Sequence, residues 1–349
     1  MEPKPLIVTG ATGHLGNVLV RALLGRGRPV RAVVQPGDDL TPLAGLPVEV
    51  VRADVNERPA LLAAFEGGDV VFHLAGIVSI GAGGDARMVR VNVDGTANVV
   101  EACAARGVRR LVHVGSVHAL VEPSGPVLDE AAGFDPSRAA GAYGRTKAMA
   151  CLAVQRAARA GVVDAVLVLP TGVVGPWDYR LSEMGQLIVG LGDGRVRVLV
   201  AGGYDFVDVR DVADGLIAAA ERGRRGEAYV LGGGRLDMRQ LARAVARAAG
   251  RRPAWVLPAW VGHLAAAGAP LFERVTGRRA LVTAYSMHVL GAPFAVSHEK
   301  AARELGFRPR PPAASVADAW RWHLSDPSSP LNRRLRALGP GRLVAREAP

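Results

Sequence analysis

The first half of the chain alternates short, continuous apolar runs with longer segments in which apolar residues recur every three or four positions. Continuous β-branched runs are typical of buried parallel strands, and the longer segments are typical of amphipathic helices. The runs predict six strands, at 6–9, 29–34, 48–51, 69–74, 110–114 and 164–169. The segments between them predict helices at 17–24, from near Glu57, at 85–106 and at 142–160. This order of elements is typical of an α/β fold with a doubly wound parallel sheet.

Beyond residue 170 the alternation loosens. The pattern there predicts strands at 195–200 and 229–231, a short run at 206–211 that leads into a helix ending near Arg222, and further helices at 183–191, 237–249, 258–275, 298–305 and 315–324. We therefore expect a dinucleotide-binding domain over 1–170, to which segments around 205–232 return, and a smaller C-terminal substrate-binding lobe over 171–325. The composition of 326–349 turns to serine, proline and arginine, which predicts a flexible basic tail.

Three glycines follow the first predicted strand, at positions 10, 13 and 16, and helix-compatible sequence begins directly after them. A strand that turns through glycines into a helix directs backbone N–H groups and the positive end of the helix dipole at one point. Gly10 would permit the tight turn, Gly13 the close approach of a phosphate, and Gly16 the packing of helix against strand. The loop therefore predicts a Rossmann-type site for a pyrophosphate.

The end of the second predicted strand bears on which dinucleotide fits. An acid there binds the 2′-hydroxyl of NAD, whereas an arginine accommodates the 2′-phosphate of NADP. Gln35 is neither, and the missing acid favours NADP; Asp38 and Asp39 are the counter-evidence, because either could fold back to the ribose. Asp54 has two equal interpretations: it bonds an adenine amino group, or it caps the helix that begins near Glu57.

Tyr143 and Lys147 are four residues apart, so both project from one face of the 142–160 helix. A lysine cation beside a phenol lowers the phenol's pKa from about 10 and makes it a usable acid or base near neutral pH. Lys147 is one of three lysines among the 43 lysine and arginine residues of the chain, which argues against a chance surface position. Ser116 follows the 110–114 strand, at the carboxyl end where open parallel sheets carry their chemistry.

The composition changes this picture little. With 349 residues, 49% apolar and 21% charged, the chain has an ordinary globular balance, and its +11 charge comes from scattered arginines without an aromatic-interleaved basic cluster. We therefore expect no nucleic-acid partner. Cys103 and Cys151 lack the spacing of a metal or redox pair, no metal site is expected, and no apolar run is long enough to span a bilayer. Since no leader precedes the first strand, a soluble cytoplasmic protein without a membrane partner is expected, and a homodimer stays open.

The motifs together resemble the extended short-chain dehydrogenase/reductase superfamily, also known as the NAD-dependent epimerase/dehydratase superfamily. The resemblance rests on the Thr-Gly-Ala-Thr-Gly-His-Leu-Gly run at 9–16, on Ser116, and on the Tyr-Gly-Arg-Thr-Lys run at 143–147. Further matches lie at 92–96, 170–176 and 206–212, so about residues 5–325 are covered. The Pro-Thr-Gly-Val-Val-Gly-Pro segment at 170–176 is similar to dihydroflavonol-reductase-like and 3-beta-hydroxysteroid-dehydrogenase-like members.

The resemblance implies a role for each matched residue. Tyr143 would exchange a proton with the substrate, Lys147 would lower the pKa of Tyr143 and hold the nicotinamide ribose, and Ser116 would bond the substrate oxygen. The implied cofactor-binding residues are Gly10, Ala11, Thr12, Gly13, His14 and Leu15 at the pyrophosphate, Gln35, Asp54 and Val55 on the adenosine side, Leu74, Ala75 and Gly76 at the adenine-side ribose, Asn92, and Tyr143, Lys147, Pro170 and Val173 toward the nicotinamide.

The implied activity is NAD(P)-dependent hydride transfer between a secondary alcohol and a ketone on a bulky, mostly apolar small molecule. Large apolar residues in the second lobe would surround that substrate: Trp177, Met184, Leu187, Leu191, Trp255, Trp260, Leu264 and Met287. The main alternative is a nucleotide-sugar epimerase or dehydratase with bound NAD. Thr171 or Gly172 stands where those enzymes usually carry an asparagine, but four arginines of the lobe keep that alternative open: Arg180, Arg195, Arg278 and Arg279.

Two positions depart from the family pattern. Gly115 stands where a second serine or threonine is common, and His118 could either face the substrate or pack into the core. His73 is expected to be a strand residue and not a ligand. A third function, a cofactor-binding regulator without turnover, is disfavoured because the set of Ser116, Tyr143 and Lys147 is intact.

Overall fold

The computed structural model describes residues 3–78, 86–276 and 282–337. Its strands are β1 (Leu6–Thr9), β2 (Val30–Val34), β3 (Glu49–Arg52), β4 (Val70–His73), β5 (Arg110–Val114), β6 (Val127–Leu128), β7 (Ala165–Pro170), β8 (Gly172–Val174), β9 (Val198–Val200), β10 (Gly203–Asp208), β11 (Ala228–Leu231), β12 (Arg235–Asp237), β13 (Trp255–Leu257) and β14 (Ala295–Val296). Its α-helices are α1 (His14–Leu24), α2 (Arg58–Ala64), α3 (Ala86–Val89), α4 (Gly95–Ala105), α5 (Gly141–Arg159), α6 (Glu183–Gly192), α7 (Val209–Arg222), α8 (Met238–Ala248), α9 (Ala259–Thr276), α10 (Ala284–Leu290), α11 (Glu299–Leu305), α12 (Pro312–Ser325) and α13 (Pro330–Ala337).

A seven-stranded parallel sheet in the order β3-β2-β1-β4-β5-β7-β11 forms the centre of the fold. Apart from the edge strand β3, which is largely exposed, its strands are buried on both faces, which explains their continuous apolar sequence. Side chains of α1 and α7 pack on one face, and side chains of α2, α4 and α5 pack on the other. The strand order reverses between β1 and β4, the topological switch point at which such sheets bind ligands. The predicted doubly wound Rossmann-type fold is confirmed.

A smaller layer stands beside the carboxyl end of this sheet. The strands β8 and β10 pair in parallel, β12 joins β10 antiparallel, and α6, α8 and α12 pack around them through a second core that includes Leu241 and Trp320. Two further pairs, β9 with β13 and β6 with β14, are short and parallel. Among the described residues, no helix has both the length and the apolar character needed to cross a bilayer.

Most predicted elements lie within a few residues of the observed ones. The exceptions are short strands set by tertiary pairing, the helices α10 and α13, and the single helix predicted over 85–106, which is divided by a π-helical segment. The domain boundaries proposed from the sequence stay a prediction. The predicted flexible tail differs from the structure over 326–337, because α13 covers Pro330–Ala337 and Leu331 is buried in the core of the smaller layer. Residues 338–349 lie outside the described residues.

Candidate active site

The turn from β1 to α1 has no room for side chains at its glycines. Gly10 has φ of +68°, and a Cβ there would lie 2.8 Å from the backbone nitrogen of Ala75. A Cβ on Gly16 would overlap the carbonyl oxygen of Gly10. The helix α1 begins at His14 with no side-chain cap on Gly13 and no acid in its first turn. Its positive end is therefore available to an anion, as the dinucleotide interpretation requires.

The loop after β4 lies against both the glycine turn and α5, the helix that carries Tyr143 and Lys147. A Cβ on Gly76 would lie 3.2 Å from Asn92 Oδ1 and 3.3 Å from Lys147 Nζ. The loop is fixed because Asn92 Oδ1 accepts from Ile77 N at 2.7 Å and Asn92 Nδ2 donates to Ile77 O at 3.0 Å. The backbone of Gly76 thus packs directly beside the lysine. A cradle of this shape, next to an uncapped helix end, fits a nicotinamide dinucleotide.

Asn92 also links this loop to α5. Its Nδ2 lies 3.2 Å from Thr146 Oγ1, and Thr146 Oγ1 donates to the carbonyl of Tyr143 at 2.9 Å. Asn92 is buried in a π-helical segment, Arg90–Asp94, which joins α3 to α4. Such irregular turns are frequent at functional sites because they redirect one side chain. Asn92 therefore positions the Gly76 loop and α5 relative to each other.

An acid does face the glycine turn from the end of β2, and it is Asp38. Thr12 Oγ1 donates to Asp38 Oδ2 at 2.7 Å, and Arg180 Nη2 reaches both Asp38 Oδ1, at 2.9 Å, and Thr12 Oγ1, at 2.7 Å. Gln35 is exposed, and Asp39 instead accepts bonds from Thr41. The sequence named Asp38 and Arg180 separately; their contact joins segments far apart in the chain, which no local pattern predicts.

The other residues that the sequence assigned to the cofactor differ in what they contact. Asp54 Oδ1 accepts from the backbone and side chain of Asn56, and α2 begins after Glu57 without a side-chain cap, so the helix-cap interpretation of Asp54 is wrong. Val55 is buried against Gly95 of α4. Pro170 ends β7, and Val173 lies on β8 opposite Val207. The ring of His14 bonds the carbonyl of Pro176, so only its backbone faces the turn.

Ser116, Tyr143 and Lys147 are all buried at the carboxyl end of β5. Lys147 Nζ donates to the carbonyl of Val114 at 3.0 Å, and Ser116 Oγ accepts from His118 N at 3.3 Å. The Ser116 hydroxyl is also near enough to the Tyr143 hydroxyl to lower the tyrosine's pKa. Because Ser116 Oγ already accepts from His118, its own proton remains to be donated.

The absence of a second hydroxyl residue at Gly115 has a steric reason. A Cβ there would lie 2.6 Å from Leu169 Cδ2 and 2.7 Å from the sulfur of Cys151, which is buried one turn after Lys147 on α5. The space that a serine would occupy is therefore filled by neighbouring side chains. Packing around Gly115 therefore explains why this position departs from the family pattern.

The protein's own groups do not lower the pKa of Tyr143 as the sequence predicted. Burial raises the pKa of Tyr143 to about 12, and the nearby Ser116 hydroxyl offsets only part of this effect. Burial also lowers the pKa of Lys147, whose ammonium is turned to Val114. Tyr143 is thus held in its protonated form across the physiological range. That state suits a proton donor, the role required to reduce a carbonyl.

His118 faces the site and is held between two tyrosines that the sequence did not indicate. Its Nε2 lies 2.8 Å from the Tyr204 hydroxyl, its Nδ1 lies 3.3 Å from the Tyr285 hydroxyl, and its ring stands edge-on to Tyr143 at 6.2 Å. Burial lowers the pKa of His118 to about 4, so the imidazole is neutral. A neutral imidazole has one N–H, so one tyrosine accepts from it and keeps its own proton for another partner.

A cavity of about 140 Å³ adjoins this aromatic group. His118 and Tyr204 form one wall, and most of the other lining is apolar, including Leu128, Val289 and Phe294. The charged residues of the lining are Glu122, Asp205 and Arg235. None of the large apolar residues expected around the substrate lines it. Trp255, Trp260 and Leu264 are exposed, whereas Trp177 and Leu191 pack in the two cores, and Arg278 and Arg279 lie outside the described residues.

The chain matches the model of the NAD dependent epimerase/dehydratase family over residues 6–232. It therefore belongs to this family, as its motifs predicted, and is an enzyme of the extended short-chain dehydrogenase/reductase type. It is 36% identical over 320 residues to sterol demethylase protein B of Methylococcus capsulatus, covering 90% of this chain and 97% of the relative.

Two further similarities extend over most of the chain. It is 32% identical over 328 residues to a 4-hydroxy-2-methyl-3-oxo-4-farnesyl-3,4-dihydroquinoline-1-oxide ketoreductase of Stigmatella aurantiaca, covering 90% of this chain and 95% of the relative. The solved structure of gox2253 has a TM-score of 0.81 and 32% identity, covering 93% of this chain and 99% of that one. These similarities support an oxidoreductase of this family and leave its substrate open.

Proposed function

We propose that this protein is a nicotinamide-dependent ketoreductase that interconverts a ketone and a secondary alcohol on a bulky, mostly apolar small molecule. The observation that carries the proposal is the protonated, buried Tyr143 near Ser116, with the adjacent His118 ring lining a cavity whose other walls are mostly apolar. A bound nicotinamide would supply or accept the hydride. The chain's own residues handle the proton and the oxygen.

The proton chemistry follows from the bonds of Ser116 and Tyr143. Ser116 accepts from His118 N, so it can donate its proton to a carbonyl oxygen and stabilise the charge that develops there. Tyr143 gives its proton to the same oxygen during reduction and recovers it during oxidation. Lys147 Nζ, beside Gly76, would bond the ribose of the dinucleotide.

The surroundings of Tyr143 favour an apolar substrate. Most residues that line the cavity beside His118 are aliphatic or aromatic, and the neutral His118 with its two tyrosines offers hydrogen bonds without a net charge, while Glu122, Asp205 and Arg235 supply the charged part of the lining. Pockets of this kind bind apolar molecules with few polar anchors. The two curated relatives named above act, by name, on a sterol and on a farnesyl quinoline.

The contacts of Arg180 and Arg195 weaken the nucleotide-sugar alternative. A diphosphate needs paired basic or amide donors. Arg180 reaches across to Asp38 and Thr12, and Arg195 pairs with Asp193 at 2.6 Å. Both guanidinium groups are therefore engaged away from the cavity beside His118, and Arg235 is the arginine that lines it, with Nη1 donating to the carbonyl of Ala292.

For the cofactor we propose NAD(H). The sequence favoured NADP(H) because Gln35 is not acidic, but Asp38 contacts Thr12 in the glycine turn, where a carboxylate accepts from a ribose 2′-hydroxyl and repels a 2′-phosphate. Thr12 and Arg180 hold that carboxylate in place.

A paired assay tests the function. The enzyme is incubated with steroid, flavonoid-like and aryl ketones plus NADH or NADPH, and separately with UDP-, GDP- and dTDP-sugars. We expect cofactor oxidation with at least one ketone. Conversion of a nucleotide sugar without net cofactor consumption, and no activity on the ketones, would replace this proposal with the epimerase alternative.

A further inference from the structure

The side of the molecule formed by β9, β13 and α9 exposes an unusual amount of apolar surface. The exposed fractions are 78% for Trp255, 63% for Trp260, 65% for Leu264 and 51% for Val198. Val198 and Trp255 are direct partners in the β9–β13 pair, and α9 packs on β9. We call the surface of these four residues the β13–α9 face. Tryptophan is rarely left so open unless the surface has a binding role.

The helix α9 explains why this face exists. Among the α9 side chains whose burial the structure describes, the buried ones are small, Gly262, Ala266 and Ala269, and they form one narrow stripe toward the rest of the protein. A Cβ on Gly262 would collide with Val200 and Met287, so the helix lies very close to β9 and α10. The larger apolar side chains Trp260, Leu264 and Phe272 of the same helix are exposed. An amphipathic surface helix has the opposite arrangement, with its large apolar residues inside.

The segment that leads into β13 and the first part of α9 is strongly basic. Residues 238–272 contain five arginines and no acidic residue, and all five arginines are exposed: Arg239, Arg243, Arg247, Arg251 and Arg252. Within the described part of the chain, none of the five forms an ion pair. Arg251 and Arg252 lie three to four residues before Trp255, where the chain enters β13. Two copies meeting through this face would bring like charges together, which opposes self-association.

We propose that the β13–α9 face docks on an anionic lipid bilayer. Tryptophans with leucine and arginine beside them are the side chains that adsorb at a membrane surface, the rings at the headgroup level and the guanidinium groups on the phosphates. The sequence-based expectation of no membrane partner rested on the lack of a spanning segment, and a peripheral surface needs none. This proposal does not depend on the proposed function.

The position of the face would let a membrane-dissolved molecule approach the cavity. Gly262 of α9 packs on Met287 of α10. Helix α10 also carries Tyr285, which contacts His118, and Val289, which lines the cavity. Docking would therefore place the bilayer one helix away from the site.

Vesicle co-sedimentation of the full chain tests the docking. We expect the protein to sediment with phosphatidylcholine vesicles that contain about 30% phosphatidylglycerol and to stay in solution with pure phosphatidylcholine or at high salt. Trp255→Ala with Trp260→Ala, and separately Arg251→Gln with Arg252→Gln, should each weaken the partition coefficient roughly tenfold or more. All four side chains are exposed, so these variants should fold.

The matched control is Arg156→Gln with Arg159→Gln, two exposed arginines at the end of α5 that remove the same charge. This control should sediment like the wild type within about twofold. The proposal is overturned if the wild type does not bind anionic vesicles, or if the variant with Trp255→Ala and Trp260→Ala binds them as well as the wild type does. It is also overturned if light scattering finds a dimer that the tryptophan variant abolishes and vesicles do not bind, since the face would then be a contact between copies.

Discussion

His73 and His113 occupy paired positions on the neighbouring strands β4 and β5, with ring centroids 5.4 Å apart and both side chains fully buried, yet only His73 is hydrogen-bonded. Its Nδ1 lies 2.8 Å from Thr9 Oγ1 and its Nε2 lies 3.0 Å from Thr96 Oγ1. Among the described residues, neither nitrogen of His113 has a partner. The two histidines thus share burial and differ in their bonds.

The bonds of His73 have a fixed direction. The hydroxyl of Thr9 accepts from the N–H groups of Leu74 and Ala75, so its proton goes to His73 Nδ1. Nε2 then donates to Thr96, whose own proton goes to the carbonyl of Asn92. His73 therefore connects the loop after β4 to the segment that holds Asn92.

We expect His73→Leu to weaken cofactor binding and His113→Leu to leave it unchanged. Removing His73 leaves the Thr9 hydroxyl without an acceptor for its proton and the Thr96 hydroxyl without a donor, at about 1–3 kcal/mol each, and loosens the cofactor-side loop. The measurements are the dissociation constant of NADH and the free energy of unfolding in urea. Equal effects of the two substitutions on NADH binding would contradict the positioning role of His73.

The two histidines also show which features of the structure the sequence predicts and which it does not. The strands carrying His73 and His113 were predicted, because buried parallel strands have a continuous apolar pattern that is local in sequence. The glycine turn and the Tyr143–Lys147 pair were predicted for the same reason. The contacts of His118 with Tyr204 and Tyr285, and of Arg180 with Asp38, join residues 86 to 167 positions apart through tertiary packing and were not predicted. The direction of the Tyr143 pKa shift was wrong because it depends on burial, which the spacing of two residues does not give.

The choice of cofactor should depend on Asp38. We expect Asp38→Asn to weaken NADH binding about tenfold and to improve NADPH binding, since the substitution removes the negative charge that repels a 2′-phosphate. Asp39→Asn is the matched control, because that neighbouring carboxylate bonds Thr41 and Arg333 instead. Fluorescence titration with both cofactors measures the effect. Tighter binding of NADPH than NADH by the wild type would refute the NAD(H) assignment.

Filling the cavity beside His118 should change substrate preference. Its volume of about 140 Å³ is close to the space that holds one benzene ring. We expect the wild type to prefer benzylacetone over butanone in kcat/KM by about 10- to 100-fold, because a buried ring adds about 1.5–3 kcal/mol. In Ala292→Phe, at the cavity wall, the preference should fall to a few-fold while butanone is reduced as before. An unchanged preference would place the apolar subsite elsewhere.

Stability should fall in acid through buried neutral histidines. Burial lowers the pKa of His73 to about 3 and that of His323 to about 4. A histidine with a lowered folded-state pKa stabilises the fold fully above its unfolded value near 6.5, and this contribution is lost as the pH falls toward the folded value.

Urea unfolding at several pH values checks this sign. The free energy of unfolding should fall between about pH 6.5 and pH 4, by up to about 1.4 kcal/mol per pH unit for each histidine that gains a proton on unfolding. His323→Leu should make the fall less steep, since no described residue partners the ring nitrogens of His323. A slope unchanged by this substitution would show that His323 contributes nothing to the acid sensitivity.

The central claim is that Tyr143 donates the proton in ketone reduction, and Tyr143→Phe tests it most directly. The substitution removes one hydroxyl from a buried ring, so NADH should bind as in the wild type. The rate constant for ketone reduction in a single turnover should fall about 100- to 10,000-fold. A Tyr143→Phe rate within a few-fold of the wild type, with cofactor binding intact, would contradict the assignment of Tyr143 as the proton donor.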